Sequence, residues 1–372
     1  MKKLFHFIPV LALVLAAACT AKTVENEQAV ITDTLLLKDY RPESIFKVEE
    51  HHPEQAKYPV VDMHLHPFTD DPEEIKQWVG TFDRNNVEKV IIYTYACGEE
   101  FERLYNLFTG ISDKFEMWCS FDLRNFGEPD FQEKALADLE RCRAIGAKGI
   151  GELGDKGHGE AYCLRKMTGT ATPTAHIDDP VFDALFDKVG EFGWAVNVHL
   201  GDPIWMYEPI DEHNDGLMNG ARWHIDLNEP GIYDLDQLLG TLERRMQKNP
   251  EVKFIACHFA NYAHDYGRIG ALLDQYPNLY YDNAARIAET TATPRATKAF
   301  YEKYADRIFY GTDNTPSDRG YRNAWRLLET LDEHVYASRS YPWPLFGLGL
   351  SDETLKKIYH ENYYNIFNNN NQ

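Results

Sequence analysis

The sequence predicts an α/β protein of the (β/α)8 barrel class, with one such domain over residues 58–367. Three observations carry this reading. From residue 60 onward, short β-branched or aromatic runs alternate with longer stretches of helical periodicity. Eight such runs can be placed. Histidines and carboxylates recur at the C-terminal ends of these runs, the end at which barrels of this class carry their sites.

Residues 1–18 read as a leader. Met1-Lys2-Lys3 is positive, and the apolar run 4–15 is too short to span a bilayer as a mature helix. Ala16-Ala17-Ala18-Cys19 resembles the lipobox of bacterial lipoproteins, in which cleavage precedes the cysteine and Cys19 is lipidated. The alternative is an ordinary secretory leader with an incidental cysteine; both export the chain. Thr20 stands where an aspartate can signal inner-membrane retention, so the expected place is the outer membrane of a Gram-negative envelope. The polar residues 19–57 are expected to form a lipid-anchored tether and a surface segment, with His51 and His52 exposed.

Strands are placed at 60–64, 87–94, 115–121, 147–153, 196–200, 253–259, 279–282 and 308–310. Helices are placed between them at 72–85, 130–145, 180–192, 235–248, 266–276 and 319–334. Asp71-Pro72 is an N-cap followed by proline at the first helical position, and Gly146 and Gly193 are C-terminal stops. A last helix at 352–367 is expected to pack outside the barrel, and the Asn-rich end 368–372 to be disordered. The connection from His199 to Leu235 is long and carries Trp205, Met206, Tyr207, Trp223 and His224. Such a loop either lids a site or covers the barrel edge.

The formal net charge of -21 argues against a nucleic-acid or anionic-membrane surface, which needs a basic patch. The partner expected is a small molecule, with membrane contact only through the N-terminal lipid. The six cysteines, Cys19, Cys97, Cys119, Cys142, Cys163 and Cys257, form no CxxC pair and no disulfide framework. Cys119 and Cys257, inside strand-like runs, read as core thiols.

The chemistry begins at Val60-Val61-Asp62-Met63-His64-Leu65-His66. Side chains two apart on a strand share a face, so His64 and His66 reach one point. Neutral imidazole is the commonest protein metal ligand. Later strand ends add Glu152 (Gly149-Ile150-Gly151-Glu152), His199 (Val196-Asn197-Val198-His199), His258 (Ile255-Ala256-Cys257-His258) and Asp313 (Gly311-Thr312-Asp313). One buried histidine is usually a satisfied core residue, but that explanation would have to be repeated at the same end of successive strands. Nitrogen and carboxylate donors together suit Zn²⁺, and Mn²⁺ or Fe²⁺ less specifically.

This pattern resembles the amidohydrolase superfamily of metal-dependent barrels, nearest to its branch holding aminocarboxymuconate semialdehyde decarboxylase and various lactonases. The resemblance covers residues 58–367 and includes the closing Leu350-Ser351-Asp352-Glu353-Thr354-Leu355 and Glu361-Asn362. It implies that His64, His66 and His199 are ligands and that Asp313 is both ligand and proton acceptor. His258 would polarise substrate or join a second metal. Glu152 departs from the mononuclear members; two-metal members place a carboxylated lysine or a bridging glutamate on that strand. Lys148 shares the face of Glu152 but lies four residues deeper, which favours Glu152. The alternative is a glutamate paired to an arginine at the rim. One or two zinc ions are therefore expected, lowering the pKa of water toward ~7. Arg124 and Arg286, which follow the third and seventh strands, are candidate carboxylate anchors or else structural ion pairs. Trp205, Tyr95 and Asn314 are candidate pocket residues.

The leading expectation is a metal-dependent hydrolase of a small lactone, ester or amide. A metal-dependent nonoxidative decarboxylase of an unsaturated or aromatic acid uses the same ligands. A TatD-like nuclease also fits the ligand order, but the acidity counts against it. A non-catalytic envelope binding lipoprotein would not need a complete ligand set.

Overall fold

The computed structural model describes residues 33–160, 175–338 and 341–367. The leader, Cys19, Cys163 and the 368–372 tail lie outside the described residues. The chain divides into two compact units, Met1–Glu43 and Ser44–Gln372. The first contains a 3₁₀ turn at Leu37–Asp39.

Among the described residues the second unit is built on eight strands: β1 (Val60–Leu65), β2 (Val87–Tyr93), β3 (Phe115–Trp118), β4 (Gly149–Asp155), β5 (Ala195–Leu200), β6 (Lys253–Ala256), β7 (Leu279–Asp282) and β8 (Ile308–Phe309). Every pairing is parallel, within β1-β2-β3 and within β4 through β8. Two seams join these sheets into a ring. Cys119 N donates to Gly149 O at 3.1 Å and Gly151 N to Cys119 O at 2.9 Å. At the other seam, Met63 N donates to Tyr310 O at 2.9 Å and Asp313 N to His64 O at 2.8 Å.

The helices that matter for the site are α1 (Pro72–Arg84), α2 (Gly98–Ile111), α3 (Phe131–Ile145), α4 (Asp183–Phe192), α5 (Leu217–Trp223), α6 (Leu235–Lys248), α7 (Tyr266–Gln275), α8 (Ile287–Thr290), α9 (Pro294–Lys303) and α10 (Asp318–Glu329). The cap signals act as their chemistry dictates. Asp71 accepts from Glu73 N at 2.9 Å, with Pro72 opening the helix. Gly193 ends α4 at φ 66°, a left-handed conformation that glycine adopts without strain. Helix α10 stops at Glu329, short of the expected 334, because Thr330 returns to extended backbone.

Apolar side chains divide between a layer outside the strands and a smaller cluster of Val61, Met63, Ile91, Tyr93, Trp118, Ala195, Ile255, Phe309 and Tyr363. Tyr363 comes from the C-terminal segment, expected to pack outside. That segment is instead two short helices, Asp352–Lys356 and Asn362–Phe367, joined by a π turn. Phe367 packs edge-on against Trp118 and flat against Phe309, both centroids at 5.9 Å. The aromatic end therefore plugs the ring. Gly151 has no room for a side chain here, since a Cβ would meet the Tyr93 ring at 2.5 Å.

Asp62 locks the second seam. Its fully buried carboxylate accepts from His64 N (3.2 Å), Thr312 N (3.0 Å), Thr312 Oγ1 (2.7 Å) and the Tyr321 hydroxyl (2.8 Å). Asp62→Ala leaves these four donors without an acceptor and is expected to cost ~3–5 kcal/mol in urea unfolding. Asp62→Asn is expected to cost far less, because its amide can donate to the two hydroxyls while its oxygen accepts from the backbone. Burial lifts the Asp62 carboxyl to about 6 against these hydrogen bonds. The stability it adds is complete below pH ~4 and lost as pH rises to about 6. The asparagine variant should therefore gain on the wild type across that window.

Candidate metal centre

Four imidazoles meet at the C-terminal mouth of the ring, and each is oriented by the nitrogen it turns away from the centre. His64 Nδ1 donates to Asp282 Oδ2 at 2.9 Å, His66 Nδ1 to Tyr93 O at 2.9 Å, and His258 Nδ1 to Ala284 O at 2.7 Å. Each outer nitrogen faces an acceptor, so it carries a proton, and Nε2 is the nitrogen that can present a lone pair inward when an ion takes the place of its proton. His199 is reversed: Nε2 donates to Gly201 O at 2.9 Å and Nδ1 faces Glu152.

Glu152 lies among them, 1% exposed. Its Oε2 is 3.1 Å from His66 Nε2, 3.6 Å from His64 Nε2, and accepts from the Tyr95 hydroxyl at 2.6 Å. Its Oε1 meets His199 Nδ1 and lies 3.7 Å from Cys257 Sγ. Asp313 faces the same point, with Oδ1 3.3 Å from His66 Nε2 and Oδ2 3.8 Å from His258 Nε2. Its backbone is left-handed at φ 52° and is held by the bond to His64 O.

The donor atoms fall into overlapping groups, each within 4.8 Å: His64, His66 and Asp313; Glu152, His199, Cys257 and His258; and His64, His258 and Asp282. The electrostatics match a cation site. Burial opposes charge on His64 and His66, yet the carboxylates around them outweigh it; His64 is raised well above its usual range and His66 to about 9. Glu152 and Asp313 are held below the usual carboxylate range by the facing histidines, against their burial. Protons on these imidazoles balance the carboxylates, which is the task a divalent ion performs in such a donor set. His258 differs: burial, Arg286 and the neighbouring histidines push it down to about 3, so it is neutral.

A cavity of about 620 Å³ opens over the centre, bordered by His66, Tyr95, Arg103, Arg124, Glu152, His199 and Asp313 among others. Tyr95 stacks on His66 with centroids 4.8 Å apart. Arg124 borders this space with its guanidinium paired to Asp122 through two 2.8 Å bonds. Arg286 is not among the cavity's described lining. It is held by Asn261 Oδ1 at 3.0 Å and pairs with Glu289 at 3.4 Å. Trp205 is also absent from the lining; it packs on Tyr341 and Trp343 at 5.8 and 6.4 Å. Asn314 borders a separate cavity of about 510 Å³. The sequence reading passed over Asp282 and Arg103. Asp282 is within reach of sequence, as a carboxylate at the C-terminal end of the one late strand given no ligand candidate. Arg103 lies on α2, a helix that reading did not place.

The family model for amidohydrolases matches residues 114–367. No curated protein matches the sequence. Among solved structures, a dihydroxybenzoic acid decarboxylase from Polaromonas, with bound manganese and the inhibitor 2-nitroresorcinol, is 16% identical with a TM-score of 0.52. The match covers 85% of this chain and 98% of that one. A 2,6-dihydroxybenzoate decarboxylase from Rhizobium is 15% identical, TM-score 0.51, covering 84% and 99%. An uncharacterized TIM-barrel protein from Bordetella bronchiseptica is 13% identical, TM-score 0.51, covering 84% and 100%. Identities this low establish a shared fold.

Asp282→Asn tests the orientation argument. An amide nitrogen opposite His64 Nδ1 favours the wrong tautomer, so metal affinity in a chelator competition is expected to fall ~10–100-fold. The circular dichroism of the fold should be retained.

Proposed function

Because the chain belongs to the amidohydrolase family, and because one buried glutamate stands between two sets of donors, we propose that it is a two-metal hydrolase. Its substrate would be a small lactone, ester or amide. The position of Glu152 carries this reading, with one oxygen toward His64 and His66 and the other toward His199. His64, His66 and Asp313 would hold one ion, His199 and His258 the other, and Glu152 would serve both. Zinc suits these donors best. Bound ions supply Lewis acidity, which polarises a carbonyl and acidifies water.

The chain's own groups do the rest. Asp313, with a quarter of its side chain exposed to the cavity, is kept ionised and can take the proton of the attacking water. It then returns that proton to the leaving group. Tyr95 fixes the Glu152 carboxylate by its hydroxyl and walls the cavity with its ring. His258, neutral and tied to Ala284 O, keeps a lone pair toward the centre. Arg103 and Arg124 border the cavity, each paired to a carboxylate of its own, Glu100 and Asp122, which a substrate carboxylate would have to displace.

A second reading, a nonoxidative decarboxylase working with a single ion, can use the same donors. The two decarboxylases that share the fold are consistent with it. In that reading Asp313 delivers a proton to the carbon that loses CO₂.

We also place the protein in the cell envelope, anchored through Cys19, on the strength of the lipobox-like Ala16-Ala17-Ala18-Cys19. Among the described residues no helix is long and apolar enough to cross a membrane.

Metal-reconstituted protein is expected to hydrolyse at least one member of a panel of lactones, esters and amides. Asp313→Asn should lower kcat ~10²–10⁴-fold. Release of CO₂ from aromatic acids with no hydrolysis would transfer the assignment to the decarboxylase. For the anchor, Cys19→Ala is expected to abolish labelling by radioactive palmitate and to shift the protein from the membrane to the soluble fraction.

A further inference from the structure

Neighbouring residues on a strand point to opposite faces. Cys257 and His258 follow β6 directly, so one of them should face the outer helices. They do not separate in this way. The backbone leaves the strand at this point: His258, Phe259 and Ala260 all take left-handed conformations, with φ between 53° and 58°. The turn brings the Cys257 sulfur and the His258 ring into one donor group with Glu152 and His199, all ligand atoms within 4.8 Å. The sulfur is buried and lies 3.7 Å from Glu152 Oε1.

The other described thiols are placed differently. Cys119 and Cys142 lie in the outer apolar layer; Cys119 is directed at Gly149 O and Cys142 at Asp138. Cys97 borders the cavity outside both apolar clusters, but it joins none of the donor groups found among the described residues. Cys257 belongs to neither apolar cluster. The reading of Cys257 as a core thiol is thus replaced by that of a thiol set among polar donors, inside the ring of strands.

We propose that Cys257 is a ligand of the ion assigned to His199 and His258, giving it a sulfur donor beside those two and Glu152. This rests on the metal centre proposed above. Coordination breaks the S–H bond; the proton passes to solvent and the sulfur's electron pair forms the bond to the metal, with no change of oxidation state. A thiolate is a soft donor and selects zinc over manganese or magnesium. The other group, His64, His66 and Asp313, has only nitrogen and oxygen donors. The two positions would therefore differ in kind. The position with the sulfur is thiophilic, while the one without it is permissive.

X-ray absorption on the full-length protein loaded with zinc tests this, for wild type and Cys257→Ser. The wild type should show a sulfur shell at ~2.3 Å beside nitrogen and oxygen at ~2.0–2.1 Å. The variant should lose the sulfur shell, still bind zinc, and lose at least tenfold of its preference for zinc over manganese in competition. If Cys257→Ser does not fold, Cys257→Ala serves the same comparison. Zinc bound to wild type without a sulfur shell, or a shell that persists in the variant, overturns the thiolate and leaves the centre standing. A wild type that binds no zinc overturns both.

Discussion

Asp282 is the residue on which the mouth of the barrel depends. Its Oδ2 accepts from His64 Nδ1 at 2.9 Å and from Asn197 Nδ2 at 3.2 Å. Its Oδ1 accepts from the backbone of His258 at 2.9 Å and of Ala284 at 3.1 Å. One buried carboxylate therefore joins β1, β5, β7 and the turn after β6, and it sets a tautomer in the same act. A buried carboxylate persists only when its oxygens are satisfied. Four donors meet that need, and His64 holds Asp282 below the usual carboxylate range despite its burial. The His64 lone pair, the left-handed turn that carries His258, and the position of Asn197 are linked through this single group.

The alternation of strands and helices was legible because burial writes it into local composition. Each strand is a short apolar run, and each donor stands at the end of one. His64, His66, Glu152, His199, His258 and Asp313 were visible for that reason, and the structure brings all six together. The partners that orient them were harder to see. Asp282 is 218 residues from His64, and no local pattern ties the two. The left-handed turn after β6 falls on His258, Phe259 and Ala260, residue types that rarely adopt it, so β6 was read as running to 259 when it ends at Ala256. The C-terminal segment has an amphipathic pattern that fits either an outer helix or a plug. Only the aromatic pocket of Trp118 and Phe309 decides between them.

Arg286 and Trp205 show where a residue-type argument falls short. Both kinds of side chain often hold substrates, and both follow barrel strands in the chain. Yet Arg286 is consumed by Asn261 and Glu289, and its charge helps hold His258 neutral. Trp205 is spent on packing with Tyr341 and Trp343. Trp205 thereby ties the long loop that carries it to an aromatic cluster outside the lining of the cavity over the donor groups. The cations that do border that cavity are Arg103 on α2 and Arg124 beyond β3.

Whether this barrel performs hydrolysis at two ions or decarboxylation at one turns on what Glu152 does. The most direct measurement is metal content per chain, by mass spectrometry, on protein purified without chelator, for wild type and Glu152→Ala. The account predicts about two ions in the wild type and about one in the variant, since a bridging carboxylate serves both positions. One ion per chain in both proteins would contradict it, leaving Glu152 as a residue that orients His199 beside a single-metal site.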